Sequence, residues 1–242
     1  MQPETSVTAS ANATLKRSAD IIVAALALVI LLPVMLLVAI AVKAETPGPV
    51  LFSQQRLGRY GRPFRLYKFR KFPDGPQGQG PAVTVHGDAR LTRVGKVLQE
   101  SKLDELPQFW NVLVGDMSLV GPRPESPRFT DCFRDRHGAV LQHRPGLFGP
   151  AQVLFRNESA LFPASGDPEE FYRQTLFPAK ARLDLAYYPR ANVFTDAAWL
   201  LRGVLAVFVP VFSGFRSENV LEAAEEWISR HGPRAKVGRV PS

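Results

Sequence analysis

A chain of 242 residues with 45% hydrophobic content carries enough apolar side chain for one or two packed cores. A mean hydropathy just below zero excludes a polytopic transporter, and 21% charged residues beside abundant Leu, Val and Phe exclude a disordered chain. Thirty basic against 22 acidic side chains leave a formal charge of +8, which points to an anionic partner: nucleic acid, an anionic membrane face or a phosphorylated substrate.

The one cysteine, Cys132, excludes an intramolecular disulfide and a Cys-rich metal site, and it fits a reducing cytoplasm. Residues 1–15 are small and polar and are expected to lack regular structure. Behind Lys16 and Arg17, Ile21–Val42 is a run of 22 uncharged, almost wholly aliphatic residues. As a helix it is about 33 Å long, enough to cross a hydrocarbon core. It is too long for a signal-peptide core, and no small-residue cleavage site follows it. Lys16 and Arg17 lie before the run and Lys43 with a basic cluster lies after it, so the positive-inside rule assigns both flanks to one side. A re-entrant helix that breaks at Pro33 and returns satisfies that rule, because proline removes a backbone donor and can kink a helix. A helix buried in a soluble core is the alternative.

Val50–Gln54 reads as a short strand, Arg56–Arg62 as a turn punctuated by glycine and Phe64–Phe69 as a second strand, which predicts a β-hairpin. Seven basic residues and no acidic one lie between Arg56 and Lys71. Beside a membrane helix such a cluster fits anionic lipid or phosphate, on the order of 1 kcal/mol per cation. RNA binding is the competing reading of basic residues among aromatics, and solvated surface charge accounts for Arg59 and Arg62. Gly58 and Gly61 do not form a nucleotide-binding fingerprint, and there is no Walker sequence. Residues 74–81, rich in Gly, Pro and Gln, predict a flexible loop able to move over a site.

Leu106, Phe109, Trp110 and Leu113 form an apolar stripe, predicting a helix of about ten residues that ends near Gly115. Asp104 then falls at its N-cap and Glu105 in its first turn, with Pro107 tolerated where N–H groups lack partners anyway. Simple capping is one account of Asp104. The other is chemical. A carboxylate at a helix start is kept ionised and can act as a nucleophile. Free N–H groups, Arg123 and the basic hairpin can receive phosphate oxygens, and Glu105 can hold Mg²⁺. These are the parts a phosphoryl transfer needs.

Further on, Arg156–Pro178 has the composition of a loop, with a short helix around Glu169–Leu176. Residues 197–212 are apolar with one charge and a proline, which suits an interfacial helix. Residues 217–230 form an amphipathic helix with Val220, Leu221, Ala224, Trp227 and Ile228 on its stripe, and a basic tail follows from Pro233. The four histidines have no metal-ligand spacing. Trp199 and Trp227 read equally as interface anchors or as core.

Four segments carry a resemblance: Leu103–Gln108 (Leu-Asp-Glu-Leu-Pro-Gln), Gly115–Pro124, Phe64–Arg70 and Arg144–Gln152. Together they resemble the bacterial sugar transferase family, the monotopic polyprenyl-phosphate phosphoglycosyl transferases, and the likeness runs from Lys16-Arg17 to about Phe208. It implies a mainly α fold with a short β-hairpin (α+β), a re-entrant membrane helix broken at Pro33 and interfacial amphipathic helices. The implied layout is an irregular residue 1–15 segment, a membrane helix at 16–43, a cytoplasmic catalytic domain at 44–212 and a C-terminal amphipathic helix and tail at 213–242. The implied activity is transfer of a sugar 1-phosphate from a UDP-sugar to polyprenyl (undecaprenyl) phosphate on the cytoplasmic face of the inner membrane, starting a surface glycan. Mg²⁺ is the implied cofactor. Membrane lipids are the implied surroundings, no nucleic acid is expected, and an interfacial homodimer is compatible.

Residue by residue, the resemblance makes Asp104 the nucleophile that expels UMP, and Glu105 its metal-binding partner. Lys68, Arg70, Arg123, Arg144, Gln152 and Asp184 match positions around the phosphates and substrate. Asp196 matches an acidic position that joins Glu105 at the metal, and Lys16 and Arg17 match a dipeptide at the lipid phosphate. Three positions depart from the pattern: Gln99 where the family usually carries Arg, Leu32 where Ser often precedes the proline, and Pro150 where an aromatic follows Gly149. Gln99 keeps a non-catalytic membrane scaffold of the same fold as the alternative.

Overall fold

The computed structural model describes residues 4–73, 83, 88–163, 166–208 and 222. Its first element, α1 (Glu4–Glu45), is one helix of 42 residues that runs through Pro33. Two expectations change here. Residues from Glu4 onward are helical, because extending an existing helix through Ala, Thr and Ser costs far less than nucleating one. The helix also does not break at Pro33: the lost N–H removes one bond of the ladder, and the bonds on either side carry the helix on.

One stripe of α1 faces the rest of the chain. Ala24, Ala27, Leu28 and Leu31 pack with Phe109 and Val112, and Met35, Val38, Ala39 and Val42 pack with Phe69 and Leu98. The opposite stripe has no protein cover: Val29, Ile30, Leu37 and Ile40 are 66–73% exposed. Polar bonds pin α1 on either side of its apolar run. Near the start, the Asp20 carboxylate accepts the Leu119 N–H at 3.1 Å. At the finish, Glu45 accepts the N–H groups of Arg93 and Val94 at 2.7 and 3.0 Å.

The hairpin of β1 (Leu51–Leu57) and β2 (Pro63–Phe69) is antiparallel, with Leu51 opposite Phe69 and Leu57 opposite Pro63. Its turn is tight because Tyr60 and Gly61 adopt positive φ of 60° and 73°. The free edge of β2 is covered by Asn111, whose amide donates to the Arg65 carbonyl at 2.8 Å and accepts from the Tyr67 N–H at 3.2 Å. A side chain thus completes a strand edge as a neighbouring strand would.

After β2 come α2 (Arg93–Ser101), capped by Thr92, and α3 (Gln108–Val114), which ends on Gly115 at φ 98°. A second sheet follows, absent from the sequence reading: β3 (Ser118–Val120) pairs in parallel with β4 (Gly146–Phe148). Their backbones touch so closely that a Cβ on Gly146 would lie 2.0 Å from the Gly121 nitrogen. Helix α4 (Pro150–Leu154) leaves β4 directly.

The short helix expected around 169–176 is part of a longer one. α5 (Pro168–Phe171) opens into a π-helical turn at Tyr172–Leu176 and closes into α6 (Phe177–Tyr187). Pro178 explains the wide turn, since it cannot donate to the carbonyl one turn back. Finally α7 (Val193–Phe208) packs through Trp199, a core residue at 5% exposure rather than an interface anchor. One core gathers Phe129, Phe133, Phe155, Tyr172 and Phe177; a second joins α1, α3, β3 and α7. The expectations for residues 74–81, for most of 213–242 and for Trp227 fall outside the described residues.

Candidate active site

The site forms where β2 ends beside the link between α2 and α3. Lys102 takes a left-handed conformation (φ 61°) that stops α2 and turns the chain into a single 3₁₀ turn, Leu103–Glu105. Asp104 therefore does not cap a helix. Pro107 occupies the N-cap of α3 and makes no side-chain cap bond. The Asp104 carboxylate is instead 2% exposed, with Lys71 Nζ 3.3 Å from its Oδ2. Its neighbour Glu105 binds Lys68, Nζ to Oε1 at 2.7 Å.

Electrostatics in this pocket are dominated by cations. Burial pushes the Glu105 carboxyl up, but Lys68, Arg123 and Lys102 together hold it far below the ordinary carboxylate value. Burial lowers the Lys68 ammonium against the pull of Glu105 and Asp104, and it lowers Lys102 in the same way. Burial also works against the Arg123 charge, yet Glu158, Glu105 and Glu125 raise its pKa above the usual arginine range. Behind Arg123 stands a buried polar set: Tyr172 donates to Glu125 at 2.5 Å, and Lys180 pairs with Glu158. An anion that enters this turn meets several fixed positive charges in a partly dry setting, where such charges act more strongly than in water.

Of the residues expected at the site, the structure brings Asp104, Glu105, Lys68 and Arg123 together. The others are elsewhere or occupied. Arg70 points back to the segment after α1, donating to the Pro47 and Thr46 carbonyls at 2.5 and 2.9 Å. Gln152 donates to the Gly121 and Gly146 carbonyls at 2.9 and 3.1 Å, bracing the parallel strands. Arg144 lies near Arg17, Arg59 and Asp20, and burial lowers its pKa. Asp184 is buried on α6, where desolvation and then Glu125 raise its carboxyl well above the ordinary value.

Asp196 does not join Glu105, because Lys16 and the Tyr187 hydroxyl take up its carboxylate. Lys16 also donates to the Val120 carbonyl, and Arg17 donates to the Val112 and Leu113 carbonyls at 2.7 and 2.9 Å, at the end of α3. Cations at a helix C-terminus satisfy carbonyls that have no helical donor. Both are therefore engaged within the protein, Lys16 by Asp196 and a backbone carbonyl and Arg17 by two backbone carbonyls. Two residues around the turn were not singled out in the sequence: Lys71, beside Asp104, and Glu158, which acts on Arg123. Lys71 belonged to a basic run with no feature to separate it from its neighbours, and Glu158 lay in a stretch that reads as loop.

Among the described residues, no three His, Cys, Asp or Glu side chains converge as a closed metal cage. The donor chemistry of the Asp104–Glu105 turn fits Mg²⁺ in its other usual mode, one or two carboxylates completed by substrate phosphates.

The family model described as bacterial sugar transferase matches residues 11–210. The UDP-N-acetylgalactosamine-undecaprenyl-phosphate N-acetylgalactosaminephosphotransferase of Aeromonas hydrophila is 48% identical over 145 residues, covering 59% of this chain and 34% of the relative. The UDP-glucose:undecaprenyl-phosphate glucose-1-phosphate transferase of Caulobacter vibrioides is 47% identical over 141 residues, covering 57% of this chain and 53% of the relative. The Escherichia coli K12 protein of that same name is 36% identical over 208 residues, 84% of this chain and 41% of the relative. The chain thus spans between a third and about half of the length of these relatives.

Proposed function

The chain belongs to the bacterial sugar transferase family, and on that premise we propose that it moves a sugar 1-phosphate from a UDP-sugar to undecaprenyl phosphate, with Asp104 as the nucleophile. The observation that carries this reading is the buried Asp104 carboxylate on a tight turn beside Lys71, with Lys68 and Arg123 around its neighbour Glu105. An oxygen of Asp104 attacks the sugar-bearing phosphorus of the donor, and the bond from that phosphorus to the bridging oxygen breaks. UMP leaves with the electron pair, and a phosphosugar ester remains on Asp104. A phosphate oxygen of the polyprenyl acceptor then attacks the same phosphorus, which frees the Asp104 carboxylate and yields a polyprenyl diphosphate sugar. The cations near the turn orient the diphosphate and balance the charge that builds on its oxygens. Glu105, with Asp104 beside it, would hold Mg²⁺, which supplies charge neutralisation to the leaving phosphate.

The same reading makes the protein monotopic, on the cytoplasmic face of the inner membrane. Its support is that Asp20 and Glu45, near opposite ends of the apolar run, are both bonded to the globular part. A helix that spanned the bilayer would carry one of these anchors to the far side. The uncovered apolar stripe of α1, together with exposed Trp110 and Phe194, supplies a surface that lipid would cover.

Catalysis is tested by UMP release from UDP-glucose and UDP-N-acetylgalactosamine with purified protein in detergent. Asp104→Asn is expected to abolish release, and an intact-mass adduct of the donor's sugar phosphate is expected when acceptor lipid is withheld. Substantial turnover by the variant excludes Asp104 as nucleophile. For topology, single cysteines at Ala13 and Pro49 in a background without Cys132 are expected to label from the same side of sealed cells.

A further inference from the structure

Most cations around the acidic turn are committed to carboxylates other than Asp104. Lys68 is bonded to Glu105. Arg123 is governed by Glu158, Glu105 and Glu125, and Lys102 feels Glu105 more strongly than Asp104. Lys71 is different: its Nζ lies 3.3 Å from Asp104 Oδ2. The same Nζ donates to Gln99 Oε1 at 3.4 Å, the position where the sequence carries an amide in place of an expected arginine.

The backbone of Lys71 is fixed as well. Its carbonyl accepts the Thr92 N–H at 3.1 Å. Helix α2 can come this close because residue 95 is glycine: a Cβ there would sit 2.1 Å from that carbonyl oxygen. The strand end and helix start thus fix the backbone of residue 71, and the Gln99 side chain meets its ammonium beside the attacking carboxylate.

We propose that Lys71, oriented by Gln99, is a further catalytic residue. It pairs with the Asp104 carboxylate before attack and moves its charge and N–H donors to the phosphoryl oxygens as the ester forms. In this way it supplies from the end of β2 the positive charge that Gln99 does not carry. The proposal rests on Asp104 being the nucleophile.

The physical requirement is that the cation follow the charge. As Asp104 bonds to phosphorus its negative charge disappears, so a cation fixed on it would stabilise the starting state and slow the step. A lysine on a flexible stem with three rotatable donors can shift to the incoming non-bridging oxygens, which arrive next to the oxygen it leaves. No proton is transferred in this step: the electron pair passes from Asp104 to phosphorus and from phosphorus to the departing UMP oxygen, while Lys71 acts as charge and donor.

The test is the rapid UMP burst, one equivalent per site, measured at saturating donor without acceptor lipid. UDP-glucose and UDP-N-acetylgalactosamine are the probes, and intact mass of wild-type protein is read in parallel. Lys71→Ala and the shape-preserving Lys71→Met are both expected to lower the saturated burst rate about 10²–10³-fold, the usual effect of removing one transition-state donor. Placing Gln99→Arg in the Lys71→Ala background is expected to recover roughly a tenfold or larger share of that loss, because a guanidinium at 99 returns the charge to the same place. A saturated burst within threefold of wild type in the Lys71 variants, a loss confined to KM, or no recovery by Gln99→Arg overturns the proposal. Absence of a wild-type adduct with either donor would instead remove the nucleophile reading, and the role of Lys71 with it.

Discussion

Asn111 joins the hairpin to α3, and its removal tests whether that joint carries stability. The side chain is fully buried; its amide donates to the Arg65 carbonyl at 2.8 Å and to Asp116 Oδ2 at 3.3 Å, and its oxygen accepts the Tyr67 N–H at 3.2 Å. Asn111→Ala leaves two backbone groups of β2 without partners, each worth about 1–3 kcal/mol when kept from water. Both lie at part-buried sites, so the low end applies and the sum is about 2–3 kcal/mol. For a domain of this size each kcal/mol moves the melting temperature by about 2–4 °C, giving a drop of about 4–12 °C. Asn111→Asp is the sharper variant. It can still accept from Tyr67, but it offers nothing to Arg65 and sets a second carboxylate against Asp116. It is expected to melt at or below Asn111→Ala in detergent solution. An alanine variant within about 1 °C of wild type, or an aspartate variant more stable than alanine, would refute the idea that this amide completes the edge of β2.

Other consequences follow from the same contacts. Glu45→Ala removes the carboxylate that accepts the first N–H groups of α2; loss of about 0.5–2 kcal/mol is expected, with faster hydrogen exchange at Arg93 and Val94 as the local readout. Gly146→Ala forces a methyl to 2.0 Å from the Gly121 nitrogen, so the parallel pair must part; loss of soluble expression or a fall of several degrees in melting temperature is expected. Glu105 carries the pH signature. Its folded pKa lies below the ordinary 4.5, so its stabilising pairing is complete above that value and is lost as pH falls through the lower folded pKa. The gap in urea midpoint between wild type and Glu105→Gln is therefore expected to be constant from neutral pH down to about pH 5 and to close in more acid solution; a gap that widens on acidification would contradict the assignment.

The sequence by itself determined what is local and periodic. The 22-residue apolar run, the glycine turn between two alternating strands and the adjacent carboxylates 104 and 105 appear in the structure as α1, the β1–β2 hairpin and the 3₁₀ turn. The family was legible for the same reason, since its motifs are contiguous stretches.

What only the tertiary structure decided is which partner each charged side chain takes. Arg70, Arg17 and Gln152 carry the right chemistry for phosphate, yet backbone carbonyls reach them first. Lys71 looks like any member of a basic run until α2 closes over it and presents Gln99 on one side and Asp104 on the other. Likewise β3 and β4 are three residues each and are joined across 25 intervening positions, too short for a pattern and too distant for a turn signal. A side chain's hydrogen-bond capacity is written in its formula, but its use depends on which donors and acceptors the folded backbone brings within about 3 Å, and that is settled only when the chain has closed.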